Sequence, residues 1–217
     1  MATSLQLRKM LMLESQPGPF FSIFIPLESA KNRDFIKNLG RRSAETFKQK
    51  YPDKDWEPYQ DKFDKIKVPR LINPRTTKGL AIYVGPTILK IYKLNHEVNE
   101  SIVVGDTMKI IELILDTQFK HVQGSHHLFK AAIKNIKVHY HESSQIDLTS
   151  DSLDQIVKLA PAGRVDALLI NSAASQEAKY NILNDLAITV IGFGGNVFIL
   201  NNEEMPENKG VAVIKRG

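Results

Sequence analysis

Short apolar runs alternate along the chain with longer amphipathic stretches, and this alternation predicts its elements. Phe20-Phe21-Ser22-Ile23-Phe24-Ile25-Pro26 is apolar on both faces, as a buried strand is. Upstream, Thr3 or Ser4 stands where it can cap a helix to about Gln16, which Pro17-Gly18-Pro19 stops. Downstream, residues 30–51 place Phe35, Ile36, Leu39 and Phe47 at helical spacing, and Tyr51-Pro52-Asp53 breaks the repeat. Asp55 to Ile66 predicts a shorter helix with Pro58 in its first turn. A loop from Val68 to Lys78 leads to three strands, Gly79 to Val84, Ile88 to Leu94 and about Ser101 to Val104, with a turn at Gly85-Pro86. Asp106 or Thr107 is placed to cap a helix through Met108, Ile111, Leu113, Ile114 and Leu115.

The periodicity breaks between Phe119 and Ser150. His126 to Ile136 fits a helix, Lys137 to His141 alternates like a strand, and Ser143 to Ser150 is polar as a loop is. The pattern then returns. Ser150 or Asp151 caps a helix ending near Ala162-Gly163, Val165 to Asn171 is a strongly apolar strand, and residues 183–191 form a helix closed by Gly192, Gly194 and Gly195. Asn196 to Leu200 and Val211 to Lys215 read as strands. The expected fold class is α/β: an α+β unit over 1–118, a linker over 119–149, and a small layered α/β unit with a largely parallel core over 150–217.

The 217 residues are 42% apolar and 24% charged, enough to bury a core and too apolar for wholesale disorder. No cysteine is present, so disulfides and thiolate metal sites are excluded, in keeping with a reducing compartment. Met10 to Leu13 is too short for a signal h-region, and no run approaches the roughly 18 apolar residues of a membrane span, so a cytoplasmic protein without a membrane partner is expected. Charge changes the picture more. Residues 31–78 hold 14 Lys and Arg against 7 Asp and Glu, whereas the remainder holds 15 against 17. A basic segment of this kind attracts phosphates by counterion release, and it otherwise serves as a solvated helix face. Trp56, Tyr51 and Tyr59 interleave with Lys50, Lys54 and Lys62, in positions either to stack bases or to anchor a short helix on the sheet.

Other chemistry finds less support. Gly192-Phe193-Gly194-Gly195 follows a helix and precedes a strand, the reverse of a phosphate loop, so a left-handed helix stop is expected. Five of six histidines fall between His121 and His141. His139 and His141 would share a face of the expected strand, and His126 and His127 would open a helix, a spacing open to zinc but with no acidic ligand attached. Asp106 and Asp185 occupy expected cap positions. No Gly-x-Ser-x-Gly elbow or Walker loop occurs, so no catalytic residue, metal or cofactor is assigned.

Three stretches in order carry a resemblance. Phe21 to Pro26, the basic helix and Lys78 to Gly85 form the first, and Val98 to Leu115 with Gly105-Asp106 forms the second. The third joins Ala162-Gly163-Arg164-Val165-Asp166-Ala167-Leu168-Leu169-Ile170, Asn184 to Ala187, Gly194 to Ile199, Glu204-Met205-Pro206 and Gly210 to Ile214. The series resembles the archaeo-eukaryotic class 1 release factor and Pelota family, especially its bacterial relatives, over about two thirds of the chain. Gly-Gly-Gln, the motif of the family's peptide-releasing middle domain, is absent, and Asn-Ile-Lys-Ser, its codon-reading motif, is missing from 41–78. The resemblance therefore implies a shortened, non-catalytic, ribosome- or RNA-associated factor of rescue, stress or hibernation type, in which 119–149 is a linker or a remnant of the middle domain. Charge and position assign RNA binding to Arg41, Arg42, Lys48, Lys50, Lys54, Lys62, Lys65, Lys67, Arg70, Arg75 and Lys78. The alternatives are a protein–protein adaptor of the same fold without RNA binding, which holds a partner or a second copy through its C-terminal part, and a histidine-based metal hydrolase.

Overall fold

A computed structural model describes residues 18–66, 76–173 and 180–217, without the side chains of 119–129. The helix expected before Gln16 and the loop residues 67–75 lie outside the described residues. The fold is α/β, with its strands in two separate four-stranded sheets and the described chain in two compact units that divide after Asp116.

In the first unit, β1 (Phe20–Pro26) is central, and the sheet order is β3-β2-β1-β4, with β2 at Gly79–Val84, β3 at Leu89–Leu94 and β4 at Ser101–Gly105. Every pairing is antiparallel, with Ile23 opposite Ile82 on one side and Ile102 on the other. β1 is apolar on both faces because both are covered. Phe21, Ile23, Ile25, Leu80, Ile82 and Val84 join one core with residues of the helices. On the other face Tyr83 donates its hydroxyl hydrogen to the Lys109 carbonyl at 2.7 Å, and the Lys109 amide donates to Ser22 Oγ at 2.9 Å.

The helix expected over 30–51 is divided into α1 (Leu27–Lys31) and α2 (Arg33–Lys50). Asn32 makes the break: its Oδ1 accepts from the amides of Asp34 and Phe35 at 2.9 and 3.2 Å, as an N-cap does. α2 buries Leu39, Ser43 and Phe47, and α3 (Glu57–Asp64) buries Tyr59 and Phe63. Asp106 caps nothing. The next helix begins only at Ile111, and Asp106 Oδ1 instead accepts the Tyr51 hydroxyl at 3.3 Å.

Residues 119–149 depart furthest from expectation. α4 runs unbroken from Ile111 to Gln145, so Lys137 to His141 is helix rather than strand and no separate linker precedes Ser143. Ile133 and Tyr140 explain the preference. Seven residues apart, they fall on one helical face and enter a core with Ala167, Leu169, Phe198 and Ile214. The second sheet has the order β5-β8-β6-β7, built from β5 (Thr149–Ser150), β6 (Val165–Asn171), β7 (Asn196–Leu200) and β8 (Val211–Lys215). Only β6 and β7 are parallel, joined across α6 (Tyr180–Gly192). β8 returns antiparallel beside β6, so the core is mixed rather than largely parallel. α5 (Leu153–Leu159) precedes β6, and Asp185 is exposed inside α6, not at its cap.

The glycine cluster is a helix stop. Gly194 adopts φ 81°, its amide donates to the Ile191 carbonyl at 2.9 Å, and the Gly195 amide donates to Val190 at 2.8 Å, the paired bonds of a Schellman motif. Carbonyls, not amides, line this end of the helix, and Arg216 donates to the Phe193 carbonyl at 2.7 Å.

Candidate nucleic-acid interface

The cations of the basic segment separate into two groups according to what their heads meet. The first group is engaged within the fold. Arg41 pairs with Glu45 one turn along α2 at 2.8 Å, with both side chains more than half exposed. Arg42 reaches Glu100 at 2.8 Å while its guanidinium stands 5.1 Å from the Phe35 ring centre. Lys50 donates to the Val104 carbonyl at 2.7 Å, which ties the end of α2 to strand β4. Lys54 lies 4.9 Å from the Tyr51 ring centre, and Lys50 lies 5.6 Å from it. Each of these cations still carries charge, but its geometry is set by the fold.

The second group faces solvent. Lys48, Lys65 and Lys78 are exposed and Lys62 is half-buried, and none of their ammonium groups makes a hydrogen bond or ion pair with another described residue. Charge alone could not separate the two groups. The Arg42–Glu100 and Lys50–Val104 contacts join residues more than fifty positions apart. Lys67, Arg70 and Arg75, which carry much of the segment's surplus, lie outside the described residues.

Two surface grooves flank α3. Lys48, Lys54 and Trp56 line one together with Asp55 and Glu57; Lys37, Arg41, Gln60, Phe63 and Asp64 line the other. Lys37 was not among the residues singled out by sequence, although it shares α2 and its exposure. Both grooves mix cations with carboxylates.

The aromatic residues anchor α3 to the sheet. Tyr59 is 2% exposed and donates to the Pro19 carbonyl at 2.8 Å. Its ring centre lies 4.9 Å from Phe47 and 5.7 Å from Phe21 and from Trp56. Trp56 stacks on Phe63 at 5.3 Å and donates to Gln60 Oε1 at 2.7 Å. Burial, with the neighbouring Tyr51 as a smaller cause, pushes the Tyr59 phenol up to about 12. A ring this enclosed offers no face to a base. Tyr51 is also raised, chiefly by burial and then by the Asp106 carboxylate.

The histidine pattern dissolves with the strand that would have aligned it. On a helix His139 and His141 diverge: His139 stands 3.9 Å from Asp166, and His141 contacts Gln145 at 3.4 Å. The side chains of His121, His126 and His127 lie outside the described residues. No group of three His, Asp or Glu is placed to hold a metal ion among the described residues. His96, the remaining histidine, packs 2.9 Å from Glu112. Among the described residues no helix is long and apolar enough to cross a membrane. No protein-family model matches the chain, and no curated protein matches it.

Proposed function

We propose that the chain is a non-catalytic factor that associates with ribosomes or structured RNA in the cytoplasm and contacts phosphate through the basic segment 31–78. The observation that carries this reading is the concentration of charge: 14 cations against 7 acids in that segment, 15 against 17 elsewhere. Lys48, Lys62, Lys65 and Lys78 are the described members whose ammonium groups have no other described partner. Phosphate contacts by such groups release counterions and give affinity that falls with salt. The resemblance to the release factor and Pelota family supports the ribosome as the RNA in question, and the absence of Gly-Gly-Gln supports a role without peptide release.

Ribosome co-sedimentation tests the proposal. The chain should pellet with ribosomes at about 50 mM salt and leave them as salt rises to about 200 mM, a range over which several phosphate contacts lose orders of magnitude in affinity. Replacing Lys48, Lys62, Lys65 and Lys78 with Glu should leave the chain in the supernatant, whereas exposed Lys158→Glu in α5 should not. Pelleting of both variants alike would exclude the basic segment as the contact.

A further inference from the structure

Residues 117–141 contain four lysines and five histidines and not one aspartate or glutamate. This stretch lies wholly within α4. Lys130, Lys134 and Lys137 are exposed at i, i+4 and i+7, and His141, also exposed, follows at i+11. At about 100° per residue all four fall within about 60° of one another around the helix, in a line about 16 Å long. The side chains of Lys130 and Lys134 make no hydrogen bond or ion pair with another described residue, and Lys137 spends one of its three donors on the Glu203 carbonyl at 3.1 Å. His139 is excluded from the line, because it faces Asp166.

Like charges three and four residues apart repel and disfavour the helix that carries them. Among the described residues no carboxylate pairs with the stripe, and the adjoining face of the same helix is committed to the core through Ile133 and Tyr140. A local rule broken with no internal return points to a function outside the fold. We infer that the Lys130–Lys134–Lys137–His141 face of α4 is a second phosphate-binding surface, in the other compact unit from the basic segment, and that it takes the backbone of an RNA strand. A regular line of lysines along one helix complements a regular chain of phosphates. A lipid surface fits less well. Helices that lie in a bilayer interface insert an apolar face, and here that face is buried in protein.

The inference rests on the RNA-associated reading but names different residues, so the two fail separately. The test is fluorescence anisotropy with a labelled RNA hairpin and the full chain at about 50 mM salt, using Lys130→Gln/Lys134→Gln, Lys130→Arg/Lys134→Arg and the Lys48, Lys62, Lys65, Lys78→Glu variant. Removing two phosphate contacts should weaken binding about tenfold, and the arginine pair should restore it. Circular dichroism should show the glutamine pair as helical as the parent, because the change relieves repulsion. Undiminished affinity in the glutamine pair, with loss confined to the basic-segment variant, overturns this inference and leaves the proposed function standing. Loss in the glutamine pair alone upholds it and removes the basic segment as the contact. No binding by the parent chain overturns both. Binding to phosphatidylserine vesicles without binding to the hairpin overturns the choice of RNA.

Discussion

Tyr59→Phe removes one oxygen from a buried part of the first unit and separates an anchoring ring from a base-stacking one. The hydroxyl donates to Pro19 at 2.8 Å, and Tyr59 itself is 2% exposed. The contacts to Phe47, Phe21 and Trp56 survive the change, so the cost is that of the hydrogen bond plus a buried carbonyl left without this donor, about 1–2 kcal/mol. Trp56 is the chain's single tryptophan and stacks on the altered ring, so its fluorescence reports the unfolding of this unit directly. With a urea slope of about 1–3 kcal/mol/M, the midpoint should fall by roughly 0.3–2 M. Titration adds a second signature. The phenol is raised from 10.0 to about 12, so in that window the folded chain keeps a proton that the unfolded chain has released. This contribution to stability is fully present below pH 10 and is lost as pH rises towards 12, and the variant should lack it. RNA affinity of the folded variant should equal the parent's. An unchanged urea midpoint together with weakened RNA binding would refute the reasoning, because it would place the ring at the interface instead of in the core.

Three further outcomes follow from particular contacts. A Cβ on Gly195 would meet Val190 Cγ1 at 2.6 Å and the Val165 carbonyl at 2.8 Å, so Gly195→Ala should cost about 1–3 kcal/mol in thermal unfolding, whereas Gly192→Ala, with nothing within 4 Å, should be neutral or slightly stabilising. The hydrogen bond from Lys209 holds the Asp151 carboxyl below its usual 3.8, so the stability it contributes is present above that pH and is lost as pH falls through the folded value. Carboxyl-carbon resonances should show the Asp151 midpoint move upward in Lys209→Met. In a peptidyl-transfer-RNA hydrolysis assay the chain should release nothing above a no-protein control, since it carries no Gly-Gly-Gln to position water at the ester.

Local signals made much of the fold legible. The apolar run of β1, the Phe35–Ile36–Leu39–Phe47 stripe of α2 and the Gly194-Gly195 helix stop all declare themselves within a few residues. The break before the first long helix went unread in the unbroken pattern over 30–51, although Asn32 is of a type that favours caps over helix interiors. α4 was harder because Lys137-Val138-His139-Tyr140-His141 alternates as a strand does. The helical set Ile133, Ile136 and Tyr140 prevails because a tertiary core receives it. Along 31–78 the sequence reveals where cations concentrate but not which are engaged. Arg41–Glu45 can be read from its spacing, whereas Glu100 and Val104 reach α2 only through the folding of strand β4 against it.

The central claim is that exposed lysines of the basic segment meet RNA phosphates, and the salt dependence of binding counts those contacts. Affinity for a structured RNA measured between 50 and 300 mM salt gives a slope of log K against log salt, to which each phosphate contact contributes roughly 0.7–0.9. For the Lys48, Lys62, Lys65, Lys78→Glu variant the slope should shrink by about 3. An identical slope in parent and variant would contradict the account, because the segment would then be a solvated face with no phosphate upon it.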